Sequence, residues 1–211
     1  MAQPSIPRYL ETAFETGFSF MHPENYQYDF YVATIGNIKI NEGKIVACDP
    51  FFYVNDLPYK ENFPLGEFPV QLAIAKINDD ERVGFARIKF SDNAPVRWEL
   101  ALTEKQNLDE LKNESQIFGY GVDAGTGGFM EPAGAQDFTK ILEDNTDNYQ
   151  LYIDEMQKNY KNTWSWFLWE QNKNTVAMFS TGWGDGFYAT YIGYAADNTI
   201  SRLVTDFVII E

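Results

Sequence analysis

Reactive side chains are scarce in this sequence. Cys48 is the only cysteine and His22 the only histidine among 211 residues. One cysteine cannot close an intrachain disulfide or build a cysteine-ligated zinc site, which excludes disulfide scaffolds and zinc fingers. One histidine excludes HExxH helices and two-histidine nuclease motifs. A Ser-His-Asp or Cys-His triad would have to recruit His22 from an early stretch rich in proline and aromatics. Long apolar runs are missing too: nothing approaches the roughly 18–20 residues of a membrane span. The first ten residues, with Pro4 and Pro7, lack the apolar core of a signal peptide. Positive charge is in short supply, with 16 Lys and Arg against 31 Asp and Glu and a formal net charge of −15. Without basic clusters, nucleic acids and anionic membranes are not expected as partners. A basic protein, a metal ion or a small molecule is compatible with this balance, and a cytoplasmic location is the default.

Apolar residues are plentiful at 45%, and aromatics make up 17%. That composition supplies the core of one domain over residues 1–211 and excludes a disordered acidic tail. The order of elements is expected to be mostly strands. Residues 1–29 carry scattered aromatics without a clear period and read as an irregular or short helical lead-in. Residues 30–35 and 38–40, rich in β-branched and aromatic side chains, read as two strands before an Asn41-Glu42-Gly43 turn and a strand over 44–47. A long loop over 49–69 holds Pro50, Pro58, Pro64 and Pro69, and long loops in compact domains are often functional. Residues 70–77, 82–90 and 96–102 read as an antiparallel meander, though the two faces of the middle strand differ little in polarity. A short helix is expected around Leu108 to Leu111.

Residues 118–123 form a Gly-rich strand, followed by two helices within residues 132–160. One places Phe138, Ile141 and Leu142 on one face; the other places Tyr149, Tyr152, Ile153 and Met156 at helical spacing. Between Thr103 and Tyr160 stand 12 acidic and 4 basic residues, so this stretch carries about half of the net charge. Residues 164–169, 175–180, 186–194 and 200–210 read as four strands separated by turn chemistry. The fold class is therefore α+β, mainly antiparallel β in a sandwich or strongly curved sheet, with a helical insertion near 132–160 between two β halves.

Four constellations could carry chemistry. Gly119-Tyr120-Gly121-Val122-Asp123-Ala124-Gly125-Thr126-Gly127-Gly128 has five glycines in ten residues. It is neither a Walker A loop nor a dinucleotide fingerprint, but exposed N–H groups at Gly125, Thr126, Gly127 and Gly128 could form an anion-binding nest. The bland alternative is a buried Asp123 capping its own loop through the Gly125 and Thr126 amides. Thr181-Gly182-Trp183-Gly184-Asp185-Gly186 puts Asp185 on a tight turn, where it can make an Asx-type bond or act as a polar anchor beside a stacking Trp183. Asp49 closes a strand and opens the Pro-rich loop, after a Cys48 that reads as a buried thiol. Arg97 and Glu99 share a strand face opposite Trp98, where an ion pair or a ligand contact could engage them. Asp49, Asp123 and Asp185 all sit at strand ends beside Gly or Pro. Were they to converge, with Glu99 as a further carboxylate, they could serve acid–base chemistry or hold Mg²⁺, Mn²⁺ or Ca²⁺.

Several segments together resemble one known family. They are Gly43 to Pro50, Phe68-Pro69-Val70, Arg87 through Asp92, Val96 to Leu102, Phe118 to Gly127, Gly182 to Gly186 and Leu203 to Phe207. The chain over about 43–211 is similar to an uncharacterised bacterial family, domain of unknown function 4241. Residues 1–42 are a lead-in outside this resemblance. The family lends no established activity. Two functional readings follow from the residues. One is a cytoplasmic, non-catalytic binding protein that neutralises or scaffolds a basic protein partner, a profile shared by bacterial immunity proteins. The other is a metal-dependent hydrolase or small-ligand-binding protein using Asp49, Asp123 and Asp185, with Arg97 or the Gly125–Gly128 amides on an anionic group and Trp183 lining the pocket.

Overall fold

The computed structural model describes residues 4–52, 57–113 and 116–210. The expected class is what forms: antiparallel strands dominate, and the main sheet curls into a half-barrel. Thirteen strands are described: β1 (Ser19–Met21), β2 (Gln27–Ile40), β3 (Val46–Cys48), β4 (Gly66–Ile77), β5 (Asp80–Lys89), β6 (Arg97–Leu100), β7 (Tyr120–Val122), β8 (Thr126–Met130), β9 (Trp166–Gln171), β10 (Asn174–Ser180), β11 (Gly186–Tyr188), β12 (Thr190–Tyr194) and β13 (Ile200–Asp206). Helices α1 (Pro132–Asp144) and α2 (Asp147–Gln157) lie between β8 and β9. A seven-stranded sheet runs β1-β2-β4-β5-β13-β12-β6, a four-stranded sheet runs β3-β8-β10-β9, and β11 pairs with β7 in a two-stranded ribbon. No helix of the described residues is long and apolar enough to cross a membrane.

Three apolar clusters hold these layers together. Ile38, Leu72, Ile74, Ile88, Phe129, Phe179 and Leu203 fill the space between the two large sheets. Leu10, Phe14 and Phe20 from the lead-in, with Ile209 and Ile210 from the C-terminal end, cover the other face of the seven-stranded sheet over Phe85 and Val204. Phe138 and Met156 from the helices pack on Trp169, Val176 and Met178 of the four-stranded sheet. Both large sheets are thus buried on both faces. This explains why β5 shows no sharp alternation: Phe85 and Arg87 face the lead-in while Ala86 and Ile88 face the inner core. The helix pair survives because its apolar stripe has a sheet to cover, not because of capping: α1 has no side-chain N-cap, though Pro132 starts it without losing a needed N–H.

Four expectations need correction. The segments 30–35 and 38–40 are one 14-residue strand, β2, kept continuous by a bulge at Gly36, whose φ of 137° suits glycine. The lead-in is not merely irregular, since β1 pairs with β2 as an edge strand after a single 3-10 turn at Thr12–Phe14. β6 does not complete a meander with β5; β13 and β12 intervene, and β6 pairs with β12 at the far edge. Nor are there two β halves in sequence order. β12 and β13 join the N-terminal strands, whereas β9 and β10 join β3 and β8.

Candidate functional site

Three loops meet at one end of the ribbon. Asp49 follows β3 and is buried, with only 3% of its surface exposed. Its Oδ1 accepts the Phe51 N–H at 3.0 Å, and its Oδ2 accepts the N–H groups of Asp123 at 3.0 Å and Ala124 at 2.7 Å. The next amide along, Gly125 N–H, donates to Asp185 Oδ1 at 2.9 Å. Three consecutive N–H groups therefore form a nest, and the protein's own carboxylates fill it. Gly125 makes the bend at φ 60°, and its carbonyl accepts the Thr181 N–H at 3.1 Å. Thr181 Oγ1 and Tyr188 Oη both donate to the Gly184 carbonyl at 2.8 Å, fixing the 181–188 turn. Burial pushes the Asp49 carboxyl above the ordinary range, and the bonds from Ala124, Asp123, Phe51 and Phe52 offset this only in part.

The structure thus brings Asp49 and Asp185 to the same three-residue segment. The Asp123 side chain is exposed, and only its backbone N–H joins the tie. The Gly125 amide is held by Asp185 rather than by Asp123. Thr126, Gly127 and Gly128 are not loop residues: they belong to β8 and pair with Ser180, Phe179 and Met178 of β10. Among the described residues, no group of three His, Cys, Asp or Glu side chains could hold a metal ion. Trp183 is 58% exposed, with the Arg82 guanidinium over its ring at 4.9 Å. Arg97 and Glu99 form an ion pair on β6, and Arg97 also lies over the Tyr194 ring at 4.0 Å. Cys48 is buried, with its Sγ 4.0 Å from Met130 Sδ.

Around this tie the surface is aromatic and acidic. In the ribbon, Phe187 stands opposite Gly121. Asp185 and Asp123 each lie one residue beyond the end pair Gly186–Val122. Phe187, Asp185 and Asp123 are all exposed. On the Asp49 side, Phe52 and Tyr149 are half-exposed, with Tyr149 4.9 Å from Phe51 and 6.4 Å from Phe52 between ring centroids.

Other buried charges escaped the sequence reading. Glu81 is the second residue of β5 and is 2% exposed. It accepts hydrogen bonds from Tyr31 Oη, Trp164 Nε1 and Asn162 Nδ2, and Lys76 Nζ lies 3.4 Å away. Burial alone would raise its carboxyl, but these four donors together hold it below the usual glutamate range. Glu131 accepts the N–H groups of Asn41, Glu42 and Gly43 at 2.7–3.1 Å, closing the 41–43 turn from another part of the chain. Glu11 bridges Arg87 at 3.1 Å and Arg202 at 2.9 Å, both buried. Burial lowers the Arg87 guanidinium to about 10, Glu11 opposing that shift and Arg202 adding to it. The available signals were slight: a glutamate just before a helix-starting proline, and charges inside a strand between apolar neighbours.

The comparisons agree with the resemblance read from the sequence. The model of the family described as "Protein of unknown function (DUF4241)" matches residues 38–205, and the chain belongs to that family. No curated protein matches, and no solved structure matches.

Proposed function

We propose that this protein is a cytoplasmic binding protein that engages a basic protein partner through the ribbon face, neutralising or scaffolding it. One observation carries the reading. Trp183 and Phe187 stand 58% and 53% exposed beside Asp123 and Asp185, on turns fixed from beneath by the Asp49 and Asp185 carboxylates. Large exposed aromatics are costly in water unless a partner covers them, and aromatic anchors ringed by charge are the usual make-up of an interface. Rigid support lowers the entropy lost on docking. Exposed carboxylates at the end of the ribbon favour a cationic partner. The buried Asp49 is a structural tie, which leaves Asp123, the exposed side of Asp185 and the aromatic rings as the part available to a partner.

The test is capture from an extract of the native host, comparing the wild type with the triple variant Asp123→Asn, Trp183→Ala, Phe187→Ala. The expected result is a specific partner retained at about 0.1 M salt, released by about 0.5 M, and held at least about tenfold less well by the triple variant. Equal retention by both proteins, or retention indifferent to salt, would sink the reading.

A further inference from the structure

We infer that the cleft between the lead-in and the C-terminal segment is a binding site for a small monocarboxylate with an apolar body. The cleft has a volume of about 780 Å³, within the range of small-molecule sites. Its walls come from three parts of the chain: Ile6, Arg8 and Tyr9, then Ile117, then Val208. The buried Phe85 of β5 and Tyr191 of β12 form its floor. None of these residues belongs to the ribbon face, so the site goes beyond the partner reading and is tested separately.

Charge is the first argument. The chain has five arginines. Arg82, Arg87, Arg97 and Arg202 each pair with a carboxylate of the chain. Arg8 pairs with none among the described residues, although acidic residues outnumber basic ones 31 to 16. It is exposed, and among the described residues it is the only lysine or arginine lining the cleft. An open guanidinium presents a planar fork of N–H donors that a carboxylate fits in bidentate fashion. Asp206 also lines the cleft, but it is buried, and its Oδ1 accepts the Val208 N–H at 2.8 Å. Burial and then the Asp206 charge push the Tyr191 hydroxyl upward, so the floor holds a neutral phenol and one covered carboxylate. Positive charge at the rim over negative charge at the floor admits one carboxylate, held at Arg8. It opposes a second one carried inward.

The walls supply the second argument. Ile6, Tyr9 and Ile117 are only half-buried, and Val208 is 41% exposed. Val208 is also strained, because its φ of 53° lies in the left-handed region that β-branched side chains rarely adopt. Among the described residues, five of the seven non-glycine positions with positive φ are asparagines, which tolerate it; Val208 is the one with an apolar side chain. The bend sinks its neighbours Phe207 and Ile209 into the core and leaves Val208 outside. The chain gains little packing from that side chain, and strain of this kind gathers at ligand clamps. An apolar body lying along Val208, Ile6, Tyr9 and Ile117 would cover all four.

The experiment is a nuclear magnetic resonance titration of the full chain with sodium octanoate at constant ionic strength, with octanol and octanedioate as controls. Amide signals of Ile6, Arg8, Tyr9, Ile117 and Val208 are expected to shift together and saturate in the range of about 0.1–5 mM. Both controls are expected to bind at least about fivefold more weakly. Arg8→Gln is expected to weaken octanoate at least about fivefold while leaving octanol unchanged. Val208→Asn, which suits the backbone but removes the apolar wall, is expected to weaken octanoate a few-fold without lowering the midpoint of thermal unfolding. Signal dispersion in the same spectra reports that each variant is folded. Shifts that fail to saturate, a control that binds as tightly as octanoate, or unchanged octanoate affinity in either variant would overturn the assignment.

Discussion

Glu81 and Asp49 are both carboxylates buried to within a few per cent, yet their environments push them in opposite directions. Glu81 faces four side-chain donors, one of them the Lys76 ammonium, and it is held below its ordinary range. Asp49 faces neutral backbone amides alone, and burial wins. The difference teaches that the direction of a buried acid's shift is set by whether its donors outweigh its burial, as the side-chain donors do at Glu81 and the backbone amides do not at Asp49. It also separates two jobs. Glu81 joins the β5 start to Tyr31 on β2 and to the 162–164 turn that leads into β9, so it links the two large sheets. Asp49 pins a surface loop that presents aromatic and acidic side chains.

The comparison can be broken in three ways. Glu81→Leu should have the largest effect, about 3–5 kcal/mol of lost stability, because it strands the buried Trp164 Nε1–H and removes the counter-charge of Lys76. Urea unfolding measures it, and a loss no larger than that of a surface substitution would remove the linking role. Asp49→Ala should cost less, about 2 kcal/mol, since the Asp123 and Ala124 amides lie near the surface and can turn to water. The same variant should leave the sheets intact while loosening the ribbon, visible as faster amide exchange at Asp123 to Gly125. A cost equal to that of Glu81→Leu would erase the distinction.

The smallest effect is on pH dependence, and its sign discriminates. A glutamate held below its ordinary range stabilises the fold above that range and loses this as pH falls through its folded value. An aspartate held above its range does the reverse: its contribution is complete at low pH and is lost as pH rises through the folded value. Between about pH 7 and about pH 3, the advantage of the wild type over Glu81→Gln should therefore shrink. Its standing relative to Asp49→Asn should improve over the same interval. Parallel trends for the two variants would show that one environment, not two, governs both groups.

Much of the fold is legible locally. The β4–β5 hairpin, the Asn172 and Asn198 turns and the helical stripe of Phe138 follow from alternation, turn residues and spacing. What sequence pattern cannot give is which strand lies beside which. β6 reads as the neighbour of β5 because it comes next, but pairing is set by sheet-wide burial, which inserts β13 and β12 between them. The same reason governs the site. Gly and Pro beside Asp49 and Asp185 mark them as turn aspartates, yet apart from the local Phe51 amide the N–H groups they accept lie 74–75 and 60 residues away. Glu131 carries only a slight local mark, the helix-starting Pro132 after it, because its significance comes from partners that only the assembled chain provides.

The family match begins at Ile38, inside β2, while Glu11 lies well upstream of it. A fragment trimmed to the matched stretch would keep Arg87 and Arg202 under their sheet and discard their shared counter-ion, along with the Phe14 ring on which Arg87 rests at 4.0 Å. Two guanidinium groups would then have to find water through a face that Leu10 and Phe20 no longer shield. For this protein the smallest unit worth expressing is set by electroneutrality beneath the sheet, and that boundary falls about thirty residues earlier than shared ancestry alone would draw it.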